Sequence, residues 1–398
     1  MDLVKMKELI YQYRNELLNN VMPFWQEHSI DREYGGYFNS LDRDGSVFDT
    51  DKWIWMQGRS VWMFATLYNE LEKRQEWLDA SLQGAEFLRR YGRNEEGYYF
   101  GITQKGEPLI QPYQIFSNAF VAMGYGALAK ALPDSEYPKL AKDTFDLYLS
   151  KRKNPKGRYD KMVPGTRPMK SFAISMILCN LAMELENILG KDYVDNIVKD
   201  LAAEIRGTYF HPEFGVILEQ VSPDGSFVDS YEGRCISPGH ACESMWFLMD
   251  IGVRLKDDEL IRWAADVTLK SLEKGWDKEY GGIFYYMDVK GKYPTWMDSD
   301  RKYWWVHLES LIACLQGYQL TKDDRLLSWF KTLHEYTWAH FKDPEYPEWF
   351  GYLNRRGEVL YPLKGGKFKT CFHLPRALLR IWKILDELHK VRGDLKNE

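Results

Sequence analysis

Three of the eight histidines, His240, His307 and His373, stand at the same place relative to a phrase that recurs along the 398-residue chain. Imidazole titrates near neutral pH, so such a set can ligate a metal or pass protons to and from a small substrate. Polar partners follow closely: Glu243 after His240, Glu309 after His307 and Arg376 after His373. Two of these, Glu243 and Arg376, are three residues on and so share a helical face with their histidine. Arg59 and Asn118 hold the corresponding place in the first two copies of the phrase. Three chemistries fit. The histidines ligate a metal; or Glu243 and Glu309 form the carboxylate pair of a glycoside hydrolase; or two imidazoles act as acid and base on opposite faces of a substrate. The other histidines (His28, His211, His334, His340, His389) fall in outer helices or turns and are read as structural or solvated.

What must position these groups is a repeat. The phrase reads DREYGGYF from Asp31, NEEGYYF from Asn94, NPKGRYD from Asn154, HPEFGVI from His211, DKEYGGIF from Asp277 and DPEYPEWFGY from Asp343, a period of about 62 residues. A second turn signal follows each: DRDG, TQKG, MVPG, SPDG, DVKG and NRRG. Alternating apolar residues between the two predict a short β-hairpin or extended loop in every repeat. Helical periodicity before each phrase (3–24, 77–91, 136–149, 193–208, 259–274, 324–341) carries more charge. That after each hairpin (55–71, 115–131, 169–185, 240–255, 305–320, 372–388) is more continuously apolar. Charged helices outside and apolar helices inside predict an all-α (α/α)6 barrel of twelve helices over residues 1–398, a single domain with hairpins on one rim. An open α-solenoid is the alternative, disfavoured because there are six units and the hairpins are elaborate. On this reading the residues just after each hairpin start the inner helices and point into the mouth, where helix N-termini favour sugar oxygens and developing anions.

Composition narrows the function. With 53 basic and 58 acidic residues there is no field for nucleic acid or an anionic membrane. No stretch of about 18 uninterrupted apolar residues occurs, and Met1–Asn20 lacks a signal-peptide core. Five scattered cysteines without metal-ligand spacing suit a reducing cytoplasm. The 15 Trp and 26 Tyr suit core filling and sugar stacking alike. Neither a dinucleotide G-x-G-x-x-G nor a Walker-type phosphate loop is present.

The segments WMQGRSVWMFATLY, SPGHACESMWFL, DKEYGGIFYY, YWWVHLES, DPEYPEWFGYLNRRG and KGGKFKTCFHLPR resemble the N-acylglucosamine 2-epimerase family, in the branch that includes renin-binding protein. The resemblance spans about residues 20–385. It implies the same barrel and reversible epimerisation at C2 between N-acetylglucosamine and N-acetylmannosamine through a ring-opened, enolate-like intermediate. His240 and His373 match the proton-exchanging pair; Arg59, Asn118, Glu243, Trp304, His307, Glu309 and Arg376 are expected around the sugar. No cofactor or metal is needed for that chemistry. The resemblance also implies a homodimer and ATP as an activator, and the basic run KRKNPKGRYDK, with Lys151, Lys153, Lys156, Arg158 and Lys161, is the candidate nucleotide site. Cellobiose- and mannose-acting relatives of this fold place a further histidine on the third inner helix; Arg167–Met176 has none. The remaining alternatives are an epimerase or aldose–ketose isomerase of another sugar, such as cellobiose or mannose, on the same fold, and a non-catalytic binding protein of the renin-binding type.

Overall fold

The computed structural model describes residues 2–163 and 165–394. The repeated phrase turns out to be a capped loop. The side chain of Asp31 accepts from the backbone N–H groups of Glu33 and Tyr34, Asp277 from those of Glu279 and Tyr280, and Asp343 from those of Glu345 and Tyr346; Asn94 does the same for Glu96 and Gly97. The second oxygen of the three aspartates receives a fully buried lysine from the segment ahead of an inner helix: Lys52 at 2.7 Å, Lys302 at 3.0 Å and Lys364 at 2.8 Å. Satisfied in this way, the buried charges tie each loop to the helix it precedes. In the second signal, Gly45, Gly106, Gly225, Gly291 and Gly357 lie at positive φ and donate back three residues, which only glycine does without strain.

The inner helices are α3 (Ile54–Glu70), α5 (Phe116–Ala131), α7 (Phe172–Glu184), α10 (Pro238–Leu255), α12 (Trp304–Thr321) and α14 (His373–Asp394). The outer layer begins with α1 (Leu3–Glu16), which runs through a π-helical turn (Leu17–Val21) into α2 (Met22–His28). It continues with α4 (Gln75–Tyr91), α6 (Tyr137–Lys151), α9 (Lys191–Glu204), α11 (Asp258–Gly275) and α13 (Asp324–His340); α8 (Glu186–Leu189) is a connector. Inner helices such as α3, α5 and α12 are buried almost all round, whereas α4, α9 and α11 bury one stripe. Neighbouring inner helices pack in order around one continuous hydrophobic core.

The ring closes at both layers. Outside, Tyr13 hydrogen-bonds His334 at 2.8 Å and Trp349 donates to Glu16 at 2.7 Å; inside, Ser60 meets Thr370 at 3.0 Å and Trp62 packs on Phe372. The rim is stitched by the same move in successive repeats. Lys52–Trp53 pairs with Gly101–Ile102, Lys170–Ser171 with Gln220–Val221, Cys235–Ile236 with Met287–Asp288, and Lys302–Tyr303 with Tyr352–Leu353. Backbone bonds between Leu41 and Lys364–Gly365 join the last repeat to the first. An (α/α)6 barrel results, and the open solenoid is set aside.

The third repeat breaks the expected pattern. No hairpin forms from its own phrase among the described residues; Gly157–Tyr159 is a single 3-10 turn. NPKG and MVPG supply turn residues without the alternating apolar positions that bury a strand face. Among the described residues no helix is long and apolar enough to cross a membrane, and the five cysteines are free and buried.

Candidate active site

The mouth of the barrel is built where α3, α10, α12 and α14 begin. Ser237 caps α10 by accepting from the His240 N–H, with Pro238 at the first helical position, so His240 lies in the first turn. His373 opens α14, one turn ahead of Arg376. Trp305, in the first turn of α12, packs against both imidazoles, with its ring centroid 5.0 Å from His240 and 5.8 Å from His373.

Each imidazole is held by a carboxylate at Nδ1. Glu219 lies 3.0 Å from His240 Nδ1 through Oε1 and 3.1 Å through Oε2; Glu309 Oε1 lies 2.6 Å from His373 Nδ1. Donation from Nδ1–H fixes the ring and leaves Nε2 as the reactive nitrogen. No hydrogen bond occupies Nε2 of either ring among the described residues. Glu309 is itself saturated: the same Oε1 receives Arg376 Nη2 at 2.7 Å and Oε2 receives Trp246 Nε1 at 2.8 Å. Arg376 Nη2 also donates to Glu243 at 2.6 Å.

These surroundings push the two histidines apart. Burial and the charge of Arg59, reinforced by Arg376, hold His373 well below its ordinary range. Glu309 does not reverse this, because its Oε1 is shared with Arg376. Burial bears against the charge of His240 too, yet Glu219 outweighs it and lifts the group above its ordinary value. A pair separated in this way is an acid and a base at the same pH.

Arg59 is the third element. Its guanidinium carbon sits 4.0 Å from the Phe120 ring centroid, 4.6 Å from Phe372 and 4.8 Å from Trp55. It is 7% exposed, makes no hydrogen bond among the described residues, and its Nε is buried without a partner. A cation stacked among rings and left unpaired is a donor waiting for an anion.

Oxygen and nitrogen atoms of Glu243, Glu309 and His373 lie within 4.8 Å of one another, a spacing that suits a metal ion. The bridging Nη2 of Arg376 supplies the positive charge of this cluster.

The structure sets three expected residues apart from this group. Asn118 Oδ1 accepts from the Tyr98 N–H, and His307 Nε2 accepts from the Ile283 N–H while its Nδ1 faces the Tyr303 carbonyl. Both are turn anchors directed at the hairpins, not at the lumen. Trp304 packs on Tyr352 and reaches His373 only edge-on at 6.2 Å; successive helical residues diverge by about 100°, and it is Trp305 that faces inward. The basic run stands on the rim outside the histidine cluster. Lys153, Lys156 and Lys161 are exposed, Arg158 pairs with Glu96, Lys156 lies 3.8 Å from Asp160, and Lys151 packs beside Gly97. Sequence reasoning missed Glu219 and Trp305. The signal for Glu219 was a carboxylate inside a hairpin whose counterparts are apolar.

Residues 36–377 match the model of the N-acylglucosamine 2-epimerase (GlcNAc 2-epimerase) family. The chain belongs to that family. It is 39% identical over 385 residues to the N-acylglucosamine 2-epimerase of Rattus norvegicus, covering 93% of this chain and 90% of that one. It is 38% identical, with the same coverage, to the enzyme of that name from Bos taurus. The cellobiose 2-epimerase of Bacillus thermoamylovorans superposes with a TM-score of 0.82 at 18% identity, covering 95% of this chain and 99% of that one, which shows a shared fold. Within this family member, His240, His373, Arg59, Glu243, Glu309 and Arg376 lie near one another.

Proposed function

We propose that this chain is an isomerase that interconverts N-acetylglucosamine and N-acetylmannosamine at C2. The observation that carries this reading is the pair of imidazoles that both pack against Trp305, each oriented by a carboxylate and driven in opposite directions from its ordinary pKa. In the ring-opened sugar, His373 Nε2 takes the C2 proton. The C–H electron pair becomes the C1–C2 double bond, and the carbonyl pair moves onto O1. Arg59, without a counter-ion of its own, meets that developing charge. His240 Nε2–H then delivers its proton to the opposite face of C2 while O1 returns its pair to the carbonyl. No electrons leave the substrate, so the chemistry calls for no redox cofactor.

Relatives bearing the name N-acylglucosamine 2-epimerase at 38–39% identity support the N-acyl sugar over cellobiose or mannose, as does a third inner helix that begins without a histidine. A glycoside hydrolase is disfavoured because Glu243 and Glu309, the pair it would use, are both committed to Arg376. The test is direct. Incubation with either sugar in deuterated water yields the other epimer with deuterium at C2; absence of both exchange and conversion overturns the reading.

A nucleotide effector at the basic rim loop, a homodimer and a cytoplasmic setting belong to the same reading. Support comes from the exposed Lys153, Lys156 and Lys161 and from the absence of disulfides among the described cysteines. Saturable activation by ATP that is lost on replacing these lysines, and a dimeric mass in sedimentation, are the checks.

A further inference from the structure

Glu219 is not required by the hairpin that carries it. Its carbonyl accepts from Phe172, the first residue of α7, as that of Phe100 accepts from the first residue of α3 and that of Gly351 from the first of α12. Its N–H donates to the Cys235 carbonyl. The backbone station is therefore the same in three repeats, and the residues that occupy it are Phe100, Gly351 and Glu219. Only the fourth repeat places a carboxylate there, and that carboxylate reaches His240 Nδ1 with both oxygens. With both backbone groups bonded and the side chain 12% exposed, Glu219 has little freedom to turn away.

We propose that Glu219 is the positioning residue that makes His240 the proton-loaded member of the pair, so that the resting site holds one imidazolium and one free base. This rests on the epimerase reading given above. The groups facing His240 are Glu219 from the hairpin of the fourth repeat, Glu243 from α10, Arg59 from α3, His373 from α14, and the rings of Trp305 and Tyr286. Arg59 and the imidazolium form of His373 oppose a proton on His240; Glu243, already on Arg376, offsets them in part. Glu219 touches His240 and no other member of the cluster. It is thus the group whose removal reverses the balance without disturbing the Glu309–Arg376–His373 network.

Without Glu219, both histidines would rest neutral, and the base would have no acid opposite it. The singly protonated pair is the only form that both removes a proton and returns one. The effect is on turnover rather than on sugar binding, which distinguishes it from a structural role.

The experiment pairs Glu219→Gln with Glu219→Asp in the full chain. NMR titration of the His240 imidazole, made without substrate, is expected to move to lower pH by about 1–3 units in Glu219→Gln and to stay near the wild-type position in Glu219→Asp. In parallel, kcat of Glu219→Gln falls about 100-fold with KM little changed, and the alkaline limb of its pH profile moves down with the histidine. An unchanged His240 titration in Glu219→Gln overturns the proposal, as does a loss confined to KM. Because the titration needs no sugar, a shifted His240 in a protein that fails to epimerise would uphold the role of Glu219 and sink only the substrate reading.

Discussion

Gln57 and His307 perform one task in two repeats: each accepts a hydrogen bond from the backbone N–H that follows a Gly-Gly turn, Gln57 from Tyr37 at 2.8 Å and His307 from Ile283 at 2.9 Å. One residue type titrates and the other does not, yet the fold uses them interchangeably. His307→Gln is therefore expected to leave turnover within about twofold, and His307→Leu, which strands a buried donor, to cost about 1–3 kcal/mol. Thermal melts and initial rates of the two variants check this; loss of activity in a well-folded His307→Gln would return His307 to the site.

The same residue predicts an acid response. Burial pushes His307 down to about 3, and His334 down to about 4. Each is neutral when folded and takes up a proton when unfolded below about 6.5, so the stability it supports is present above that pH and is lost as pH falls. The slope approaches about 1.4 kcal/mol per pH unit for each group. Denaturant melts between pH 7 and pH 5 should show this decline, shallower in His307→Gln.

Arg59 carries opposite effects on stability and activity. It is a buried cation without a hydrogen bond among the described residues, packed by Trp55, Phe120 and Phe372. Arg59→Met fills the space without the charge and is expected to stabilise the fold by about 1–2 kcal/mol while lowering kcat about 100-fold or more. A variant that loses stability instead would show that the guanidinium has a partner in solution.

Glu309 should behave in the opposite sense to Arg59. It holds His373, Arg376 and Trp246 at once. Glu309→Ala leaves a buried guanidinium with Glu243 alone and is expected to cost about 3–5 kcal/mol as well as activity. Urea titration separates the two losses, since Glu243→Gln removes a partner of Arg376 without touching His373.

The pH–rate profile follows from the two shifts. His373 must be neutral and His240 protonated; the first holds above a pKa well under 6.5, the second below a pKa over 6.5. Activity should fall on the alkaline side as His240 loses its proton, and on the acid side only as His373 gains one. Both directions of the reaction share that shape, because each uses the singly protonated pair. His240→Ala and His373→Ala should each abolish deuterium uptake at C2; uptake retained by both would exclude the two-histidine route.

Much of this was legible in the chain itself. Periodic apolar residues, the capped Asp and Asn of the recurring phrase and the glycines of the second turn are local signals, and local sterics and hydrogen bonding fixed six helix pairs with ends close to those expected. The site divided differently. His240 and His373 could be picked out by their place in the repeat, because equivalent stations in a ring converge. His307 and Asn118 occupy equivalent stations too, and only the packed barrel shows those two bonded to their own hairpins. Trp304 and Trp305 point about 100° apart on α12, and only the packed helix shows that Trp305 is the one against both imidazoles. Glu219 precedes His240 by 21 residues, and nothing in the spacing announces that a hairpin carboxylate reaches a helix N-terminus. The sequence determined the units and the residue types they carry. Which nitrogen each histidine presents, and whether its surroundings raise or lower its pKa, depends on long-range contacts, because burial and neighbouring charge exist only once the ring is closed.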